Sequence, residues 1–520
     1  MNSILRATTA AAVVAIMAAP ALAQDASRQI QTLQDQMRAM QQQLDALKAA
    51  DAAQKEAIAA ETKARQAAEK EARDAAVEAG GTLVMEGGKQ RVKPAASPMV
   101  TESGTHRFAM SSADGNWTIA PTGRIHFDMG AYINQEADGV TGPATVAGGK
   151  LSSGVNVRRA RLGVTGKAMG DFTYSLILDA GGATDATAAI NTASIGYTGM
   201  ANTIMEAGYF ANFFTLEEAT SSNDIMFMER NSPATIASSF NSGDPRAAIG
   251  FRTWEPNWFF AAYFTSSAPN VTHALTKRGF GAYQRATYNI INDPLQTVHV
   301  GVGVAEVFQA PNTGPNTAQS FTLSDRAEIR IDPTTLLNTG AIGTVANPVT
   351  GALIYTGEFA ASSGSFFLQG EYFRYDVSRR GRTKANFEAA YLETSYTWGG
   401  RRGYTANCGC YSGINPITPF SPVRGGNGAF ELAARVSYTD LTDEYKSYTL
   451  AAAQPTAVNG GRQLNYTVGL NWFWNSNMLW KFNYIHTVFN KANPITATNA
   501  NVTRLGVGLD TLAARFQVMF

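Results

Sequence analysis

Between Val155 and Asp179 the chain alternates with a period of two. Arg159, Arg161, Gly163, Thr165 and Lys167 fall on one face, and Ala160, Leu162 and Val164 on the other. After Met169-Gly170-Asp171 the alternation resumes, with Phe172, Tyr174, Leu176 and Leu178 opposed to Thr173, Ser175 and Asp179. Successive side chains of a strand point to opposite faces, so this stretch predicts an antiparallel hairpin with one apolar and one polar face. The same pattern recurs to the last residue. It predicts strands near 117–133, 187–198, 202–210, 246–254, 257–266, 278–290 and 295–309, and again near 351–361, 364–378, 385–398, 427–441, 463–475, 477–490 and 509–520. With the opening hairpin these make sixteen.

The connections alternate in kind. Met169-Gly170, Glu255-Pro256, Ser362-Ser363 and Asn475-Ser476 read as very short turns, and long Gly/Asn/Ser/Thr loops separate the pairs. Short turns at one end and long loops at the other are the pattern of a transmembrane barrel. The apolar faces agree: Tyr466, Val468, Leu470, Trp472 and Trp474 line one strand, and Met478, Trp480, Phe482 and Tyr484 the next. Trp and Tyr beside a turn suit the aromatic belt of a membrane interface. A sheet in lipid must close, because an open edge leaves backbone groups unsatisfied. Both chain ends on one side require an even number of strands. Phe321 to Pro348 is therefore placed mostly in a loop, although Phe321 to Ile331 alternates weakly; eighteen strands would need Gly340 to Ala346 as well. The fold class is all-β, a sixteen-stranded transmembrane antiparallel barrel over 113–520.

Upstream, the pattern changes. Residues 1–23 read as a secretory signal, with Arg6, an apolar run from Ala10 to Ala19 and the small-x-small site Ala21-Leu22-Ala23. Within 24–79, Ile30, Leu33, Met37, Met40, Leu44 and Leu47 step by threes and fours, the seam of a coiled coil. Beyond Asp51 the helix is Ala-, Glu- and Lys-rich, a semi-rigid spacer. Residues 80–112 contain Gly and Pro without period and read as a linker. Composition sharpens the picture. Charged residues are only 16%, aromatics 10%, and Gly numbers 48, with a formal net charge of +1. That disfavours a globally basic nucleic-acid binder. Cys408 and Cys410 stand in NCGCYSG with no His or third Cys nearby, so they do not predict a metal site, and no cofactor is expected. The sequence leaves their oxidation state open.

The barrel region resembles the phosphate-selective porin O/P family of bacterial outer membranes. The segments that carry this are VRRARLGVTGKAMGDFTYSLILD, EAGYFANFFTLEEATSSNDIMFMERNSP, SSFFLQGEYFRY and GNGAFELAARVSYTDL, with Phe520 at the chain end. The resemblance implies a trimer of sixteen-stranded barrels in the outer membrane, each with its own channel constricted by an infolded loop. The family's RRA matches Arg158, Arg159 and Ala160, and such arginines line the constriction in phosphate-binding members. Its loop matches Leu216 to Arg230, where those members carry lysine and this chain has Glu217, Glu218, Asn223 and Asp224.

The residues themselves add detail. The constriction loop, about 211–245, holds Phe213, Phe214, Ile225, Met226, Phe227 and Met228, which folding back into the lumen would bury. Thr220, Ser221 and Ser222 would then offer hydroxyls to a solute. Alternation sends Arg124, Arg159, Arg161, Lys167, Arg252, Arg285, Arg435 and Arg515 to the polar face. Arginine's planar fork suits oxyanions. Asp128, Asp179, Glu371 and Glu431 are available as neutralising partners. Arg158 falls on the outward face by alternation and requires a bulge, an interface position or a subunit contact. Arg379, Arg380, Arg382 and Lys384 cluster between two strands at the long-loop end, where lipopolysaccharide phosphates or entering anions would meet them. No nucleophile, zinc or phosphate-loop motif indicates an enzyme. The expected function is passive diffusion of small, preferentially anionic solutes, with outer-membrane lipid and lipopolysaccharide as surroundings. The alternative is a structural envelope protein whose periplasmic coiled coil reaches toward peptidoglycan. Deleting Asp25 to Ala79 is expected to lower the thermal stability of the oligomer and leave the conductance per channel nearly unchanged; loss of conductance would make the helix part of the gate.

Overall fold

The computed structural model describes 107–138, 151–181, 189–240, 245–266, 276–446, 454, 456–492 and 504–520, with strands at 82–86, 89–93 and 99–103 and six helical positions between 62 and 74. The signal segment and the seam from Ile30 to Leu47 lie outside the described residues. The chain divides into two units, Met1–Ala95 and Ala96–Phe520. In the first, Thr82–Glu86 pairs antiparallel with Lys89–Lys93. In the second, Met99–Ser103 pairs with Arg107–Ser111 and reaches the barrel through Met110 opposite Ile119. The segment expected as a linker thus carries two short hairpins.

Sixteen strands form the closed antiparallel barrel. They are β1 Thr118–Asp138, β2 Gly154–Ala168, β3 Phe172–Asp179, β4 Ala189–Tyr197, β5 Thr203–Phe210, β6 Arg246–Glu255, β7 Trp258–Ser266 and β8 Phe280–Asn292. The second half is β9 Gln296–Gln309, β10 Val349–Ser363, β11 Phe366–Arg379, β12 Ala385–Trp398, β13 Ala429–Asp443, β14 Val458–Phe473, β15 Met478–Ala492 and β16 Arg504–Met519. β16 returns to β1, with Arg515 opposite Asp128. Phe520 extends the seam by exchanging backbone hydrogen bonds with Gly123. The expected strands are all present, and several run further: β14 and β16 begin at Val458 and Arg504 rather than 463 and 509. Between Phe321 and Pro348 only Ser324–Asp325 and Leu337–Asn338 pair, so the count stays at sixteen.

The alternation decides the faces. Leu162, Ile195 and Phe264 point outward and are more than 60% exposed, whereas the inward His126, Arg285 and Arg515 are buried. Met169 and Gly170 both take positive φ, 53° and 80°, the geometry of a tight hairpin turn that follows the strands' twist. Around that end the outward aromatics form a girdle, Phe430 stacking on Trp472 at 5.7 Å and Trp480 lying 4.9 Å from Phe516. At the opposite end Arg374, Glu388, Asp440 and Arg462 stand in register across four strands. This ionic row bounds the apolar band. No helix among the described residues is long and apolar enough to cross a membrane.

Among the described residues, three connections fill much of the lumen. The first is 211–240, with the helices α1 Leu216–Ala219 and α2 Ser232–Ser239. Its apolar residues are buried as expected: Phe214, Ile225, Met226, Phe227 and Met228. The N-terminus of α1 is held from the wall by Glu371, whose carboxylate accepts from Leu216 N at 2.8 Å and Glu217 N at 3.1 Å. The second is 310–348, which also enters from the loop end, burying Phe321 against Phe240 at 5.2 Å. The third is 399–428, and it corrects the expected asymmetry. It joins β12 to β13 at the end that otherwise carries short turns, while the loop-end connection 380–384 is short. Its tip is the disulfide Cys408–Cys410. Leu216, Met226 and Phe227 of the first segment pack on Cys408, Cys410 and Tyr411 of the third, so the two meet inside the barrel.

Charged latches fix these segments. Arg285 binds Glu358 through two bonds of 2.8 Å and donates to the carbonyls of Cys408 and Gly409 at 2.8 and 2.6 Å. Arg402 grips Glu431 at 2.7 and 2.8 Å and donates to the Asp224 carbonyl. A positive φ at Gly409 lets the tip sit against Phe259, where an added Cβ would lie 3.1 Å from both the Phe259 Cβ and its ring Cδ1. Removing one partner of a buried pair leaves the other charge uncompensated, at a cost of about 3–5 kcal/mol. Arg285→Ala is therefore expected to lower the unfolding temperature of the barrel, followed by circular dichroism, far more than Arg462→Ala at the exposed ionic row.

Candidate functional site

The site begins with a bulge. β2 pairs with β1 so that His126 faces Arg159 and Phe127 faces Val157, which leaves Arg158 as the extra residue. A bulge re-aims side chains by inserting one residue into one strand. Arg158 and Arg159 consequently both face inward, which strict alternation forbids. This is the device that the position of Arg158 required.

The two arginines converge on the constriction loop. Arg158 binds Glu229 with two bonds, 2.9 and 3.0 Å. Arg159 lies 3.6 Å from the same carboxylate and beside His126 Nδ1 at 3.3 Å. Arg515 reaches Glu229 at 2.6 Å while holding Asp128 at 2.6 and 2.7 Å. Burial raises the Glu229 carboxyl, but the guanidiniums of Arg158, Arg159, Arg515 and Arg330 outweigh it and hold it well below the usual range. Its stabilising contribution is therefore in place above the ordinary carboxylate pKa and is lost as pH falls through the depressed one.

Around this knot lies a cavity of about 430 Å³ lined by six arginines, 124, 158, 159, 161, 230 and 330, and by two glutamates, Glu218 and Glu229. Arg161 is neutralised by Asp179 at 2.7 Å, and Arg330 by Asp325 at 2.7 Å. Arg124 and Arg230 differ. Arg124 donates to Ser222 Oγ at 2.9 Å, and Arg230 to the carbonyls of Glu217 and Thr220 at 3.1 and 3.0 Å. Neither has a carboxylate within ion-pair distance among the described residues. Thr220, Ser221 and Ser222 all line the same cavity.

Of the acidic loop residues that opposed an anion path, Glu217 does not line the cavity and Glu218 lines it but is paired. Glu217 is buried and accepts from Gln369 Nε2 at 3.1 Å. Glu218 is buried against Arg246 at 3.1 Å. The structure thus gathers Arg124, Arg158, Arg159, Arg161, Thr220, Ser221 and Ser222. It separates the other expected site residues. Arg435 is a latch, bound to Glu328 at 2.6 Å, and Arg515 is a latch at the seam. Lys167 and Arg252 line a different cavity nearer the turn end. Sequence reading missed Arg330 and Glu328, which arrive on the second inserted segment. The signal was present: Phe321, Leu323, Ala327 and Ile329 are as unsuited to solvent as the apolar residues of the first loop. Among the described residues no group of His, Cys, Asp and Glu is arranged to hold a metal.

A closed sixteen-stranded barrel with a polar, constricted lumen is an outer-membrane channel architecture. The sequence profile of phosphate-selective porin O and P matches residues 127–520, and the chain belongs to that family. No curated protein sequence matches it. Similar solved structures include OmpT of Vibrio cholerae in its trimer form, 8% identical, covering 78% of this chain and 99% of that one, with a TM-score of 0.45. The channel DcaP of Acinetobacter baumannii is 12% identical over 78% and 98% of the two chains, at 0.41. An anion-selective porin from Comamonas acidovorans is 12% identical over 78% and 100%, at 0.43.

Glu229→Gln is expected to weaken the clamp on four arginines, cost about 3–5 kcal/mol of stability and raise the anion preference read from the zero-current potential in a salt gradient. Glu217→Gln is expected to leave that potential unchanged, because its carboxylate faces the wall.

Proposed function

We propose that this chain is a passive diffusion channel for small hydrophilic solutes with a modest preference for anions and without tight phosphate binding. The observation that carries this is the surplus of guanidinium around one cavity, where Arg124 and Arg230 have no carboxylate within ion-pair distance among the described residues. Two unit charges 4 Å apart attract by about 4 kcal/mol at an effective dielectric of 20. Two such groups hold an anion briefly, while the paired Arg159 and Arg161 keep Glu229 and Asp179 neutralised. Conduction needs this kind of weak, repeated binding. Arg159 and Arg161 stand two residues apart, about 6.6–7 Å along β2, and extend the ladder below Arg158.

In this reading the turn end, with Phe520, faces the periplasm, and the signal and coiled coil lie on that side. The functional unit is a homotrimer joined through the barrels and the coiled coil. At the outer mouth Arg380 and Lys384 are exposed and Arg382 donates to Asn347, so the short 380–384 connection offers positive charge to anions or lipopolysaccharide phosphates. Planar-bilayer recording tests the reading. Stepwise conductance with an anion-preferring zero-current potential is expected, and a folded barrel without channel steps would favour a structural anchor. Changing Arg159 and Arg161 together to Ala should lower the anion-to-cation permeability ratio on the order of threefold or more. A channel that is already cation-selective and indifferent to both changes would overturn the selectivity.

A further inference from the structure

A second cavity of about 480 Å³ lies toward the turn end, lined by Thr165, Lys167, Ser175, Ser194, Glu206 and Arg252 among others. Three strands supply inward residues to both cavities. β2 gives Arg161 to the upper and Thr165 and Lys167 to the lower; β3 gives Ile177, then Ser175; β4 gives Thr192, then Ser194. The two spaces therefore follow one wall. Between them Arg252 holds its guanidinium 4.4 Å from the centre of the Phe213 ring, and Phe213 lines the upper cavity. Arg252 also pairs with Glu206 at 3.3 Å and donates to the Asn407 carbonyl at 2.9 Å.

The opposite sector is closed. Inward groups there are occupied by the 399–428 segment: Thr297 by the Tyr411 hydroxyl at 2.7 Å, Glu431 by Arg402, and Arg285 by the disulfide tip. Thr397, inward on β12 near the turn end, is 2% exposed.

We infer that the solute path is a single off-axis channel along β1 to β6, that 399–428 is a built-in floor closing the other sector, and that Arg252 over Phe213 sets passage between the two cavities. Arg252 is thus a specificity-determining residue at the exit from the arginine site. The inference rests on the channel reading above. An anion leaving Arg124 and Arg161 meets a guanidinium already half-neutralised by Glu206, which passes it on to hydroxyl-bearing neighbours without trapping it.

Single cysteines read the path, since the native Cys408 and Cys410 are bonded to each other. Ser194→Cys and Thr397→Cys are each recorded in bilayers before and after addition of anionic 2-sulfonatoethyl methanethiosulfonate on the turn-end side. The current through Ser194→Cys is expected to fall by about half or more, as a charge added in a narrow pore requires, and that through Thr397→Cys to stay unchanged. Arg252→Ala is expected to reduce the anion-to-cation permeability ratio, with Arg252→Lys restoring most of it. Equal block of both cysteines, or a conducting Ser194→Cys channel that does not respond, overturns the off-axis path. Unchanged selectivity in Arg252→Ala overturns the role of that residue. Absence of channels in the unsubstituted protein would remove the channel reading and this inference together.

Discussion

One guanidinium ties together the closure of the sheet, the seat of the constriction loop and the charge of the pore. Arg515 stands on the last strand opposite Asp128 on the first, so its two bonds to that carboxylate lie across the seam that closes the barrel. The same side chain reaches Glu229 and the Met228 carbonyl of the inserted loop. Taking three such charges out of water costs several kcal/mol each, and only near-complete mutual hydrogen bonding offsets it. The arrangement therefore tolerates no partial version. Glu229 in turn positions Arg158 and Arg159, so the pore lining depends on the seam being closed correctly.

Much of this was legible in the primary structure. Period-two alternation placed every barrel strand, and parity rejected Phe321 to Ile331 as a seventeenth. Apolar content predicted that 211–245 folds inward, and the buried Phe214, Phe227 and Met228 agree. The conflict at Arg158, outward by count and inward by resemblance, called for a bulge, an interface position or a subunit contact, and the bulge is what the strand pairing shows. A local rule that fails at one residue is often the sign of a functional position.

Other features were hidden for physical reasons. The partners of Glu217 and Glu218 are Gln369, on a strand far along the chain, and Arg246, on the strand that follows the loop, and nothing in the local sequence connects either loop carboxylate to its partner. Turn-and-loop logic also missed that one connection, 399–428, enters the barrel from the turn end. Between β12 and β13 the connection carries Tyr404, Cys408, Cys410 and Tyr411, and their burial inside the lumen follows from the same desolvation argument that applied to the first loop. Applied evenly, that argument predicts three insertions instead of one.

The strands around the wall differ in length, and the surrounding bilayer must answer to it. β3, β4, β5, β6 and β7 have 8 to 10 residues, while β8 to β16 have 13 to 16. At about 3.3 Å per residue and a tilt near 40°, an eight-residue strand rises roughly 20 Å, short of the ~30 Å hydrocarbon core. Lipid tails cannot rest against loop backbone at that depth without leaving polar groups unsolvated. Hydrophobic mismatch on this one flank makes it the place where the membrane is compressed or another protein surface takes the place of lipid. The low wall is also the wall that carries the pore, so the thickness of the host membrane and the occupancy of this flank bear directly on the segment of the barrel through which solutes pass.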